Sequence, residues 1–145
     1  MIRFRSLAVA FLLMLVAGCA TGPAYKDVSG TFQPVAAGSG RIYFYRTTVA
    51  GAAVQPDVKL NGEVVGKAVP DGFFFVDRPP GDYVVTTTTE VKKSLTFHLD
   101  PGQVRYVRLD LAMGLFVGHV YPELIDPTDA QPQLEKTKWT SKSQS

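Results

Sequence analysis

The stretch that decides the fold is Leu95-Thr-Phe-His-Leu-Asp-Pro-Gly-Gln-Val-Arg-Tyr-Val-Arg-Leu-Asp-Leu111. Apolar and polar residues alternate on both sides of Asp100-Pro101-Gly102, and this period of two is typical of a β-strand with one face in a core and one in water. Proline suits the first corner of a turn, and glycine adopts the positive φ of the second corner without strain. The stretch therefore predicts two strands, near 93–99 and 104–112, joined by a tight turn.

The same pattern continues on the N-terminal side, where short runs rich in Val, Thr, Phe and Tyr are separated by Gly, Pro, Asn and Asp. These runs predict strands at 41–47, 56–60, 63–69, 73–77, 82–90, 93–99, 104–112 and 119–125. Asn61-Gly62 stands between the second and third strands, and it is the strongest short signal for a hairpin because a type I′ turn requires positive φ at both positions.

Strands with one dry face and one wet face are expected to pack their dry faces together. In the strand near 104–112, the alternation places Tyr106, Arg108 and Asp110 on the wet face. The predicted fold class is all-β: a small β-sandwich of about seven or eight mostly antiparallel strands. An N-terminal signal helix and a short C-terminal helical or irregular tail complete the prediction.

The composition restricts the class of protein. Of 145 residues, 46% are hydrophobic and 19% are charged, which suits one globular domain and excludes an intrinsically disordered chain. The formal net charge of +2 comes from Arg3 and Arg5, because the remaining 13 Lys and Arg equal the 13 Asp and Glu. Such a balance is unlike a nucleic-acid-binding domain, so we expect no nucleic-acid partner.

The N-terminus has the pattern of a secretory signal. Arg3 and Arg5 precede an apolar run over residues 7–16, which is too short for a transmembrane helix of about 20 residues. A short N-terminal anchor or core helix is the alternative interpretation.

Val16-Ala17-Gly18-Cys19 follows the run directly and resembles the bacterial lipobox. The resemblance implies that the Cys19 thiol accepts a diacylglyceryl group, with acyl chains such as palmitate, and that the peptidase cleaves before Cys19. Cys19 is the only cysteine, which excludes disulfides within the chain and cysteine-based metal sites. Because Ala20 rather than Asp follows it, the resemblance further implies a bacterial envelope protein anchored in the outer membrane, and we expect it to face the periplasm.

Glycine, proline and turn residues suggest the domain organisation. The expected parts are a lipoprotein signal peptide at 1–18, a lipid-anchored flexible tether at 19–40, a β-sandwich domain at 41–126 and a C-terminal tail at 127–145. The alternative for the tether is that Tyr25 and Phe32 fold part of it back onto the domain. Thr128 or Asp129 is expected to cap a short helix in the tail, and Pro132 is expected to limit or break it. Trp139 is expected to dock.

Four segments resemble a known family in their order: Arg41-Ile-Tyr-Phe-Tyr-Arg46, Val58-Lys-Leu-Asn-Gly-Glu-Val-Val-Gly66, Pro79-Pro-Gly-Asp-Tyr-Val84 and Met113-Gly-Leu-Phe-Val-Gly118. With them, residues 41–125 resemble the bacterial lipoprotein family catalogued as domain of unknown function 2846. The third segment is also similar to the turn-into-strand signature of PEGA and carboxypeptidase-regulatory-like domains. The resemblance implies a small lipid-anchored β-domain and supplies no catalytic residue.

The sequence offers little catalytic chemistry. His98 and His119 are the candidate bases, and we expect His98 on an exposed strand face and His119 in a loop. Neither has the ligand spacing of a zinc site, and the aspartates stand in turn positions. We therefore expect no catalytic residue, no metal and no cofactor, and we expect that the protein is not an enzyme.

An apolar segment between two glycines is the candidate partner contact, formed by Leu115, Phe116 and Val117. The alternative is that these residues fill the end of the core. The leading function is a non-enzymatic protein-binding or structural module that contacts the membrane through the lipid on Cys19 and binds an envelope protein. The other candidate is a glycan- or peptide-binding module with stacking platforms at Tyr43, Tyr45, Tyr83 and Tyr106.

Overall fold

The computed structural model describes residues 19–89, 91–115 and 118–140. The described strands are β1 (Gly40–Arg46), β2 (Asp57–Leu60), β3 (Glu63–Lys67), β4 (Gly72–Arg78), β5 (Gly81–Thr88), β6 (Lys92–Leu99), β7 (Val104–Met113), β8 (Gly118–Ile125) and β9 (Lys138–Trp139). The helices are α1 (Tyr25–Val28), followed by a 3-10 turn at Ser29–Thr31, and α2 (Pro127–Leu134). The predicted signal peptide at 1–18 and the last tail residues, 141–145, lie outside the described residues.

Two sheets form a sandwich, as predicted. Sheet A has the order β8-β7-β1-β4-β9, and sheet B has the order β3-β2-β5-β6. Neighbouring strands are antiparallel except for the pairs β1–β7 and β4–β9, which are parallel. The inner core lies between the sheets, where apolar side chains such as Ile42 and Phe44 of sheet A meet Val85 and Leu99 of sheet B. The all-β fold class is confirmed.

The hairpin at Asn61-Gly62 is confirmed in its turn type and register. The φ angles are 49° at Asn61 and 87° at Gly62, and Leu60 pairs with Glu63. The Asn61 side chain adds a contact that the sequence did not reveal, because its Oδ1 accepts a hydrogen bond of 2.8 Å from the backbone N–H of Val84. The turn therefore fastens β2 and β3 to β5.

Replacing Gly62 with valine is expected to lower the free energy of unfolding by about 1 kcal/mol or more, because a β-branched side chain is strained at positive φ. Nothing lies within 4 Å of a Cβ at Gly62, so the loss would come from the backbone alone. Gly30→Val is the matched control, since Gly30 also has open space but no positive φ. Urea unfolding measures both variants, and a wild-type midpoint for Gly62→Val would contradict the assigned turn.

The outer face of sheet A is not wet, which corrects the prediction for Tyr106. Its side chain is only 6% exposed. It belongs to a second cluster of buried residues, the outer core, which comprises Tyr43, Tyr45, Phe73, Tyr106, Ala130 and Leu134. The alternation of β4 explains why three consecutive phenylalanines fit here, because Phe74 faces the inner core while Phe73 and Phe75 face the outer core. The protein therefore has three layers.

The N-terminal part of the outer layer is a strap, residues 20–33, which lies within the predicted tether at 19–40 and packs against sheet A. The Tyr25 ring lies 5.1 Å from the Phe73 ring, and Phe32 lies 4.9 Å from Phe75. The Arg41 guanidinium donates a 2.9 Å hydrogen bond to the Gln33 carbonyl and closes the strap. Aromatic side chains can bury enough surface to hold such a segment against a sheet.

The C-terminal part of the outer layer corrects the predicted helix in the tail. Asp126, rather than Thr128 or Asp129, occupies the N-cap, and α2 continues through Pro132. A proline inside a helix removes one backbone hydrogen bond. The burial of Ala130 and Leu134 in the outer core offsets this loss. Trp139 docks as predicted, as part of β9 beside β4.

Candidate functional site

The site lies at one end of the sandwich, which we call the loop end: β1, β5 and β7 end there, and β4, β6 and β8 begin there. Cys19 also lies at this end. Its neighbour Ala20 is only 6% exposed, and the Ala20 N–H donates a 3.0 Å hydrogen bond to the carbonyl of Pro70, just before β4. The Cys19 side chain itself is exposed.

Exposed apolar side chains gather at the loop end. Val49 is 57% exposed, Val91 45%, Met113 78% and Leu115 96%. We call these four residues the apolar rim. Among the described residues, the other large apolar side chains with comparable exposure are Val64 and Val84, on the outer face of sheet B.

Arg46 organises this end, and the sequence analysis missed it. The side chain is fully buried, and its guanidinium donates hydrogen bonds to five backbone carbonyls. The acceptors, with distances, are Thr48 at 3.1 Å, Ala50 at 2.9 Å, Gly51 at 3.2 Å, Val54 at 2.7 Å and Ala68 at 2.9 Å. Burial lowers the pKa of Arg46. The alternation of β1 was the sequence signal for the burial of this side chain, because Arg46 falls on the same strand face as the buried Ile42 and Phe44.

The loop that follows β1 packs against the base of the β7–β8 connection. At Gly51, where φ is 65°, a Cβ would lie 2.6 Å from Leu111 Cδ2, and at Gly118 it would lie 2.9 Å from Leu111 Cδ1. Leu111 therefore fits between two glycines and holds the two segments together.

The predicted contact residues are only partly described. Leu115 is almost fully exposed, which excludes a core role for this residue. Phe116 and Val117 lie outside the described residues, and so do Val16, Ala17 and Gly18 of the lipobox-like motif. Within the described part of the chain, no helix has the length and apolarity needed to cross a membrane.

The two histidines have different surroundings, and among the described residues neither combines an orienting carboxylate with a cavity. His98 Nδ1 lies 2.6 Å from Asp82 Oδ1, with a side chain 55% exposed on the open face of sheet B. His119 borders a cavity of about 430 Å³, but its Nδ1 contacts the hydroxyl of Thr89 at 3.1 Å. A catalytic base needs an orienting group within a substrate cleft, and here the carboxylate and the cavity belong to different histidines.

Possible metal ligands are also dispersed. In residues 19–89, 91–115 and 118–140, no three His, Cys, Asp or Glu side chains are grouped to hold a metal ion. One charged cluster, around Arg108, links β7 to β8 and to α2. Arg108 lies 2.7 Å from Asp110 and 2.8 Å from Glu123, and it donates to the Gln133 side chain of α2 at 3.2 Å.

The four tyrosines predicted as stacking platforms are all buried, with exposures of 9% or less. Tyr43 and Tyr106 do stack, with ring centroids 5.5 Å apart, but they stack on each other within the outer core. Tyr45 donates to the Gln133 side chain, and burial raises its pKa to about 12. Tyr83 lies in the inner core and donates to the Pro79 carbonyl at 2.6 Å. The prediction that these rings bind a ligand is wrong.

The fold and its loop end define a small β-sandwich module with an aromatic outer layer and an apolar rim at the same end as Cys19. The chain belongs to the family described as a protein of unknown function, DUF2846, whose sequence model matches residues 36–120. This confirms the family resemblance; the similarity to PEGA domains stays a resemblance. The chain is also similar to an uncharacterized protein of Haemophilus influenzae, with 25% identity over 138 residues, covering 92% of this chain and 82% of the relative.

Proposed function

We propose that this protein is a lipid-anchored, non-enzymatic module of the bacterial envelope that binds another protein or strengthens an assembly. The observation that carries the proposal is the position of Cys19. It lies next to a buried residue that is bonded to the domain, so no free segment separates the thiol from the sandwich. A lipid on Cys19 would hold the loop end directly against the bilayer.

The anchoring step rests on Val16-Ala17-Gly18-Cys19 and the apolar run before it. Cleavage before Cys19 would leave two acyl chains on the sulfur, and two chains give stable membrane attachment where one gives only marginal binding. Ala20 after the modified cysteine favours the outer membrane, with the domain in the periplasm.

The outer face of sheet B is the surface that we propose for the protein partner. The strap and α2 cover the outer face of sheet A, and a lipid on Cys19 would turn the loop end towards the bilayer. The outer face of sheet B carries the exposed Val64 and Val84. It also has an open groove of about 570 Å³, whose lining includes Lys59, Val84 and Lys92. We assign the envelope protein partner to this face.

Mass spectrometry of the protein from membrane extracts tests the proposal. We expect the mature chain to begin at Cys19 and to carry the mass of the acyl groups. Cys19→Ser should leave an unprocessed chain without that mass, because a hydroxyl is a poor substitute for the thiol nucleophile. Thr21→Ser, an exposed change two residues away, is the control and should behave as wild type. A wild-type chain that begins at Met1, or that has an unmodified Cys19, would contradict the anchoring.

A further inference from the structure

We propose that the apolar rim is a second membrane contact: Val49, Val91, Met113 and Leu115 enter the interfacial layer of an anionic bilayer beside the lipid on Cys19. The inference rests on the proposed function and deepens it. It assigns a lipid surface as the partner of the loop end. Contact through the rim would fix the orientation of the domain on the membrane, which a lipid on Cys19 alone would not do.

The first argument is the distance across the loop end. Ala20 is bonded at the start of β4, and β7, which ends at Met113, lies two strands away in sheet A. Adjacent strands are about 4.8 Å apart, residues along a strand about 3.3 Å and packed sheets about 10 Å, so Met113 and Val91 each lie roughly 15–20 Å from the Cys19 end of β4. Acyl chains that begin at Cys19 would therefore bring the rim to the membrane surface.

The second argument is that the rim is held in its exposed position. Arg46 binds the carbonyls on both sides of Val49, at Thr48 and Ala50. The Thr89 hydroxyl contacts His119 Nδ1 at 3.1 Å and ties the β5–β6 connection, which carries Val91, to β8. These hydrogen bonds fix the backbone on which the exposed apolar side chains Val49 and Val91 stand. Clustered exposed apolar side chains mark contact surfaces.

The third argument is charge. Lys92 and Lys93 follow Val91 directly, and both are exposed. Basic residues beside apolar ones suit the boundary between anionic head groups and acyl chains. Lys67 ends β3 at the same end, where it lies 3.5 Å from Asp57. With Glu90, which precedes Val91, residues 90–93 keep a formal charge of +1, and this suits an anionic bilayer.

A fluorescent probe on Leu115→Cys tests the contact in the full lipoprotein. The protein is reconstituted in vesicles of phosphatidylethanolamine and phosphatidylglycerol, with an environment-sensitive maleimide probe. We expect blue-shifted emission and a loss of about half the signal when lipids carry nitroxide groups on the upper acyl chain, because interfacial side chains reach about 5–10 Å into this boundary. Val49→Cys should give the same result. Val64→Cys, on sheet B, is the control and should lose no signal.

Each result is decisive. Emission from Leu115→Cys that matches water overturns the rim proposal while leaving the lipid anchor intact. A blue shift without nitroxide quenching also overturns it, because a protein or a second copy then covers the residue. The wild-type chain separates the two proposals: a lipidated Cys19 has no free thiol and takes up no probe. Labelling of the wild type would show an unmodified Cys19 and would overturn the proposed anchoring together with the rim that depends on it.

Discussion

Replacing Arg46 with methionine is expected to lower the free energy of unfolding by about 3–5 kcal/mol. The variant keeps much of the side-chain volume but leaves five carbonyls without their donor. An unsatisfied buried acceptor costs about 1–3 kcal/mol, and the more exposed carbonyls recover part of this loss by binding water. Arg46→Lys should restore only part of the stability, because an ammonium group has three donors and cannot span the fork of a guanidinium.

Arg78→Met is the matched control for this experiment. Arg78 donates to the carbonyl of its neighbour Asp77 and lies 3.5 Å from Glu63, whose side chain is 71% exposed. The Arg78 side chain is 25% exposed, but the pair is open at Glu63 and methionine keeps the apolar packing of the arginine stem, so the control should stay within about 0.5 kcal/mol of wild type. Urea unfolding followed by the fluorescence of Trp139, the single tryptophan, measures all three variants. Equal midpoints for Arg46→Met and Arg78→Met would show that the loop does not depend on the buried guanidinium.

Replacing Phe73 with alanine is expected to cost about 3–5 kcal/mol, the usual range for a truncated buried aromatic. The ring is fully buried in the outer core and lies 5.2 Å from the Trp139 ring. Phe74→Ala should cost a similar amount, because its side chain is buried in the inner core. The two costs together distinguish a three-layer protein from a plain sandwich, in which only one of two adjacent strand residues is buried.

Circular dichroism during urea unfolding measures these changes without relying on Trp139. Val64→Ala provides the exposed control and should stay within about 0.5 kcal/mol of wild type. Limited proteolysis adds a local readout, since loss of the Phe73 ring should expose the strap to cleavage. A small cost for Phe73→Ala beside a large cost for Phe74→Ala would mean that the strap and α2 contribute little to stability.

The strands and turns could be predicted from the sequence because their signals are local. Asn61-Gly62 requires a particular backbone conformation, and the alternation from Leu95 to Leu99 identifies which side chains face the core. The outer core could not be predicted in this way. The alternation of β7 shows that Tyr106 and Val107 point to opposite faces, but it carries no information on what covers either face.

The candidate site also combines features with a local sequence signal and features that depend on contacts between distant residues. The apolar segment that contains Leu115 fits both an exposed contact and a filled core end, so the sequence left these two alternatives open. The position of Cys19 depends on the hydrogen bond between Ala20 and Pro70, which are 50 residues apart, so no local pattern reveals it. Arg46 was recognisable from its strand phase, but an arginine at the end of an apolar run is also typical of a solvent-exposed strand end.

The contacts between the strap and β9 also impose an order on biogenesis. The Tyr25 N–H binds the Thr137 carbonyl, and the Trp139 N–H binds the Pro23 carbonyl. The first and last parts of the described chain therefore hold each other in place. Synthesis proceeds from the N-terminus, and the strap emerges long before its C-terminal partner exists. The strap can meet β1 and β4 as soon as those strands exist, but its two backbone hydrogen bonds to the C-terminal part can form only after Trp139 has been synthesised. The three-layer structure is therefore complete only when nearly the whole chain is available.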